Sequence, residues 1–382
     1  MVWKPSADRL PAESSDRPVL LSRNYRKRGF LPEYDPPVAF DPDSGLSMLD
    51  EVGRNLPSLL QKDDFRAYVR RLKIPPLPET RPHPEVLPQL RLYYLRVGFL
   101  ASAYINQLGQ APTNLLPSNI AQPLCRVCRL LNRPPVLSYD AYALYNWKRF
   151  DKGGPVALGN IDTIQNFVHL YDEHWFILVH VEIEAIAARI LDAIARIQRD
   201  LPRPEEAELN QALEDIAAAI WDQVRVLRRI PEKMDPRLYY KRFRPYIRYF
   251  ENVVYEGVNR QPISFRGETG AQSSIMPVLV ALMKIPHRSS LLTEHLADMR
   301  RYMPAEHRDL IEDVESMPSF RDRVEKDVFN SLLEAIASFR EVHYGWAEEY
   351  INRRTQDPRG TGGTPYMQWL KQLIAETRAW MR

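Results

Sequence analysis

The segment IDTIQNFVHLYDEHWFILVHVEIEAIAARILDAIARIQRDL, from Ile161 to Leu201, contains neither proline nor glycine, in a chain where 32 of 382 residues are proline. Apolar residues recur along it at spacings of three and four, the period of an amphipathic helix, and Pro202 ends it. It reads as one long helix. Further helical patterns follow at 204–229, 236–250, 272–285, 289–302, 304–315, 323–354 and 365–381. The first 160 residues are more broken. Helical patterns at 46–71, 86–108 and 116–131 are interrupted by a connector crowded with Pro75, Pro76, Pro78, Pro82, Pro84 and Pro88, which cannot be regular helix. Strand-like alternation is nearly absent. The fold class expected is mainly α, with a small mixed N-terminal domain over 1–160 packed against a large all-helical domain over 161–382.

Composition excludes several functions. A formal net charge of +3, with basic and acidic residues intermixed, carries no nucleic-acid footprint. The most apolar runs, WFILVHV at 175–181 and MPVLVALM at 276–283, fall far short of the roughly 20 residues of a membrane span. The N-terminus has no apolar signal core, so a cytoplasmic location is expected. The two cysteines, Cys125 and Cys128, stand in CRVC with Arg129 where covalent haem attachment would need histidine, and no second pair completes a zinc site. They read as two small residues on one helix face, a redox or metal role being the alternative.

None of the eight histidines pairs in HxH or HxxxH spacing, and none follows a glutamate by three residues, so zinc and di-iron helical motifs are absent. What remains is a metal that arrives with its other ligands, such as haem held by one axial histidine. His343 lies on the stripe Phe329, Leu332, Ile336, Phe339, Trp346 and Tyr350, so it should point into the bundle, either as a satisfied core residue or as a ligand. Phe176, His180 and Glu184 share a face at spacings of four, which suggests an internal contact from His180 to Glu184. In RLYYKRFRPYIRYF at 237–250, Arg244 is either part of a solvated basic face or a two-pronged clamp for a carboxylate. The glycines of GTGGTPYMQWL at 360–370 fit neither a Walker loop nor a dinucleotide fingerprint. They mark a flexible connector or a lid.

Seven blocks carry a resemblance: residues 116–147, which include LCRVCRLLNRPPVLSYDAYALYNW, then WFILVHVEIEA, RPYIRYFENVVYEGV, FRGETGAQSS, DMRRYMPAEHR, FREVHYGWAEEYI and GTGGT. In this order the chain resembles the indoleamine 2,3-dioxygenase branch of the haem-dependent tryptophan dioxygenases, more the bacterial and fungal members than the animal ones. The resemblance implies haem b as cofactor, O2 as co-substrate, an electron donor that keeps iron ferrous, and oxidative cleavage of the indole C2–C3 bond to an N-formylkynurenine-type product. By matching position, His343 would be the iron ligand, with Arg340 and Gly270 beside the cofactor. Arg244 would receive the substrate carboxylate. Phe176 would pack against the indole, Tyr139 would stand in the roof of the substrate pocket, and Thr361 and Gly362 would belong to a closing loop.

Departures from the family pattern are part of the expectation. His180 stands where animal members have serine, which makes it the candidate acceptor for the indole N–H. Glu268 and Thr269 occupy the loop above the cofactor. Tyr142 replaces a pocket cysteine, and Tyr239 is the aromatic near Arg244. Val280 stands where relatives place an aspartate against the iron-binding imidazole, removing an acceptor that would raise its basicity. These replacements leave open a monooxygenase acting on a substituted indole. A non-catalytic haem sensor would need His343 alone.

Overall fold

In the computed structural model, which describes residues 25–77, 83–201, 204–354 and 365–382, the long helix runs over Tyr171–Arg199 and not from Ile161. Ile161–Asp162 instead pairs antiparallel with Lys148–Arg149. The later start has a local cause. Asn146 Oδ1 accepts the backbone N–H groups of Ile164 and Gln165, and the Glu173 carboxylate accepts those of Phe167 and Val168. Donors committed to side chains cannot begin a helical ladder, so the periodic pattern runs through a polar turn before the helix starts.

Two hydrophobic cores meet along this helix. Ile177, Leu178 and Val181 join a first core built from the helices Leu87–Ile105 and Ser118–Leu130 together with the strand Phe250–Tyr255. Trp175, Val179 and Ile183 join a second, built from the helices Glu206–Leu227, Ile275–Met283 and Lys326–Tyr350. A helix apolar on two faces is stable only when both are covered. The first core is not contiguous in sequence. Leu115–Leu116 pairs in parallel with Val254–Tyr255, and Phe250–Tyr255 pairs antiparallel with Ile263–Phe265.

Near the N-terminal end of the described chain, the short helix Tyr25–Arg28 ends at Gly29, whose φ is +62°. A Cβ there would collide with the carbonyl of Glu184, so glycine permits the close crossing onto the long helix. At the other end, the helix Tyr366–Ala379 is tied to Lys326–Tyr350. Arg340 bonds the Leu373 carbonyl and the Thr377 hydroxyl, and Arg378 pairs with Glu334 and Glu341.

Two expected helices are interrupted. The pattern at 46–71 resolves into Ser47–Leu59 and Phe65–Arg71. The pattern at 236–250 becomes a single turn at Pro236–Leu238, a π turn over Tyr239–Phe243 and a 3-10 turn over Arg244–Ile247, before the strand at Phe250. Pro245 offers no backbone N–H for a continuing ladder. Among the described residues no helix is long and apolar enough to cross a membrane.

Candidate active site

Phe176 is the hub around which distant segments gather. Its ring lies 4.6 Å from His180, 5.4 Å from Tyr239, 6.0 Å from Phe243 and 6.3 Å from Tyr142, centroid to centroid. Tyr139 meets His180 edge-on at 6.0 Å. Three of these aromatics stand in π turns, Tyr142 in Asp140–Leu144 and both Tyr239 and Phe243 in Tyr239–Phe243. Such turns rotate side chains out of the α-helical register and recur at functional sites. A buried ion pair between Arg133 and Asp140 anchors the first of them.

The hydrogen bonds of His180 differ from the expected contact with Glu184. Its Nδ1 lies 2.7 Å from the carbonyl of Phe176. A carbonyl can only accept, so Nδ1 carries the proton, and in the neutral ring Nε2 is left with a lone pair. Burial holds the His180 pKa below its ordinary value, partly opposed by that bond, so the ring stays neutral near pH 7. Glu184 instead accepts from the Tyr139 hydroxyl at 2.8 Å and from Ser273 at 2.7 Å, and its Oε2 is buried without a partner. Burial pushes its pKa up to about 7. Glu173, whose pKa burial raises to about 8, likewise accepts the Tyr142 hydroxyl at 3.2 Å. These two carboxyls were not expected in the site. They orient Tyr139 and Tyr142, and the one signal for them in the sequence was Glu184 sharing a face with His180.

Arg244 is separated from its neighbours by burial. Lys241, Arg242 and Arg248 are exposed, whereas Arg244 is 7% exposed, lies 5.2 Å from the ring centroid of Tyr240 and has a buried Nε without a hydrogen bond. The basic-face reading therefore fails for this residue. Glu268 is also buried, at 4% exposure, and its pKa is raised to about 8 by desolvation alone. Thr269 turns inward on its own loop, where its hydroxyl accepts the N–H of Ala271. Thr361 and Gly362, with Gly360 and Gly363, lie outside the described residues.

His343 sits in the middle of Lys326–Tyr350, half-buried, with Phe339 and Trp346 half-buried beside it on the same stripe. Burial, and secondarily the nearby His180, lowers its pKa to about 4. The imidazole makes no hydrogen bond among the described residues, and a Cβ placed on Gly270 would stand 3.9 Å from its Nε2. Val280 packs on the second core as a half-buried apolar side chain. The bonds of the buried Arg340 run to Leu373 and Thr377, and burial lowers its pKa to about 10.

This donor set suits a flat apolar macrocycle carrying its own metal. It provides a neutral imidazole, half-buried Phe176, Phe339 and Val342, and the buried cation of Arg340 within one turn of the histidine. Among the described residues no cluster of three or more His, Cys, Asp or Glu could hold a metal unaided. The cysteines are buried and unpaired, and burial pushes the Cys125 thiol up to about 12 and Cys128 higher still, which makes both poor nucleophiles.

Fold and site together define a mainly helical protein in which aromatic side chains, two neutral imidazoles and a buried arginine are brought in from distant segments. The sequence model of the family described as indoleamine 2,3-dioxygenase matches residues 24–356, and the chain belongs to that family. It is 30% identical to indoleamine 2,3-dioxygenase 1 of Rattus norvegicus, covering 86% of this chain and 87% of the relative. Indoleamine 2,3-dioxygenase of Saccharomyces cerevisiae is also 30% identical, with 86% of each chain covered, so identity does not separate animal from fungal relatives. A protein named myoglobin from Haliotis madaka is 26% identical over 86% of this chain and 90% of its own.

Proposed function

We propose that this protein is a haem-dependent dioxygenase that cleaves the C2–C3 bond of tryptophan or a related indole with O2, giving an N-formylkynurenine-type product. The observation that carries the reading is the pairing of two neutral imidazoles, His180 and His343, with a buried arginine lacking a partner for its Nε. His343 would hold haem b, with Arg340 and Gly270 beside it. When bound, the haem supplies the ferrous iron at which O2 is activated, and an electron donor in the cytoplasm keeps it reduced. In this reading residues 1–160 roof the pocket and 161–382 form the haem-binding domain.

The chain's own residues position and dry the substrate. Arg244 receives the carboxylate through a charge-assisted, two-pronged contact. Nε2 of His180 accepts the indole N–H, since Nδ1 is committed to Phe176. Phe176, Tyr139, Tyr142 and Tyr239 pack against the rings and exclude water, which strengthens both polar contacts. Thr361 and Gly362 are proposed to close over the bound molecule.

A second reading, a non-catalytic haem protein, is favoured by the relative named myoglobin. It would use His343 but gives Arg244 no role. The replacements at Glu268, Tyr142 and Val280 favour a third, insertion of one oxygen atom. One experiment separates them. The full chain is loaded with hemin, reduced without oxygen, recorded with and without L-tryptophan, and then given oxygen-18-labelled O2. A product with both labels supports the dioxygenase. One label indicates a monooxygenase, and binding without oxygen consumption indicates a carrier or sensor.

A further inference from the structure

Glu268 and Arg244 are a buried carboxyl and a buried guanidinium that the backbone ties to one small region without joining them to each other. The loop carrying Glu268 is fixed at several points. Its backbone N–H donates to the carbonyl of Ile247 at 3.1 Å, and Ile247 closes the 3-10 turn that Arg244 opens. Gly267 lies so close to the backbone of Ile247, Arg248 and Tyr249 that a Cβ has no room. Gln272 then clamps the loop to the roof: its Nε2 donates to the Gly267 carbonyl at 2.9 Å, and its Oε1 accepts the Tyr139 N–H at 2.9 Å. An ionised Glu268 carboxyl would act electrostatically on Tyr139, Tyr142 and Tyr239. Tyr239 also bonds Arg244, so one phenol interacts with both groups.

The carboxyl of Glu268 has no hydrogen-bond partner among the described residues, and no cation stabilises it there. A buried carboxyl without partners is unfavourable unless it stays protonated or a ligand supplies a positive charge. With Arg244 presenting an unpartnered Nε–H on the turn that Ile247 closes, the missing ligand carries both signs a few bonds apart, as an amino-acid zwitterion does. We propose that Glu268 receives the α-ammonium group of the substrate whose carboxylate Arg244 receives, so that the pocket selects amino acids over indole carboxylic acids. This rests on the indole-binding reading above and deepens it.

The charge balance gives a second signature. Glu268, with its pKa raised to about 8, is largely protonated at pH 7 in the free protein, and an ammonium beside it favours the carboxylate. Binding of an amino acid therefore releases a proton to solvent. The other titratable groups facing Glu268 are the three phenols, all held above their ordinary range by burial, so they keep their protons at pH 7.

The test uses the haem-loaded full chain and two ligands differing only in the ammonium group, L-tryptophan and indole-3-propionate, titrated by the haem spectrum and by calorimetry in buffers of different ionisation enthalpy. Wild type is expected to prefer tryptophan and to release a proton on binding it. Glu268→Gln should weaken tryptophan by roughly tenfold or more, leave indole-3-propionate unchanged and abolish proton release. Equal weakening of both ligands, or tryptophan binding indifferent to Glu268→Gln, would overturn the assignment while leaving the indole reading intact. If wild type binds neither ligand, the functional reading fails and this inference with it. The proton count in wild type stands as a check that does not depend on how the variant folds.

Discussion

If His180 accepts the indole N–H through Nε2, removing the imidazole and removing the N–H should be two ways of breaking one bond. The perturbations are His180→Ala and 1-methyltryptophan, which carries a methyl group where tryptophan has its donor. The His180 ring packs against the Phe176 ring at 4.6 Å and the Tyr139 ring at 6.0 Å, centroid to centroid, and is desolvated there, so water is poorly placed to replace the acceptor. A buried donor left unsatisfied costs about 1–3 kcal/mol, which is roughly 5–150-fold in affinity or kcat/KM. His180→Ala should therefore weaken tryptophan by that factor and affect 1-methyltryptophan far less, leaving a coupling of the same size in the cycle. The assay is equilibrium titration of the haem spectrum together with kcat/KM for both substrates in both proteins. Equal loss for the two substrates would refute the reasoning. The pH dependence adds a check. Because the folded pKa of His180 lies below the ordinary value of 6.5, its neutral form prevails above that pH, so substrate affinity should fall on acidification only below pH 6.5.

Other outcomes follow from the same geometry. His343→Ala should abolish the Soret band of hemin-loaded protein while leaving far-ultraviolet circular dichroism unchanged, because the ring makes no hydrogen bond among the described residues. Arg244→Ala should lower tryptophan affinity by about 1.5–3 kcal/mol, with Arg244→Lys intermediate because it keeps the charge and loses the fork; unchanged affinity in a titration would remove Arg244 from the site. Gly267→Ala should drive the 267–273 loop off the 247–249 backbone and destabilise the protein by roughly 1–3 kcal/mol, read by denaturant unfolding. Glu173, Glu184 and Glu268 have folded pKa values raised by burial above the ordinary carboxyl value of 4.5, so the native state holds protons that the unfolded chain releases. Stability of the haem-free protein should fall as pH rises from about 5 to 8, and Glu184→Gln should make that slope shallower; a thermal midpoint flat across this range would contradict the burial of these carboxyls.

The sequence by itself determined what depends on near neighbours in the chain. Three-and-four spacing placed the helices, the stripe through Phe329, Ile336 and Tyr350 turned His343 inward, and seven ordered blocks carried the family. Composition alone could not tell Arg244 from Lys241 or Arg242, since all three are cations on one short aromatic-rich segment. Burial separated them, and burial is a property of the packed chain. The tautomer of His180 was likewise invisible until the carbonyl of Phe176 was seen beneath it. The helix beginning at Tyr171 was mistimed because its competitors, Asn146 and Glu173, reach backbone donors across a loop that hydrophobic period does not record. The π turns at Tyr142 and Tyr239, and the approach of Glu268 to the Arg244 turn through Ile247, are set by contacts between segments far apart in sequence. Local pattern fixes which face of an element is apolar, whereas only the assembled packing decides which buried polar group is left without a partner and is therefore available to a ligand.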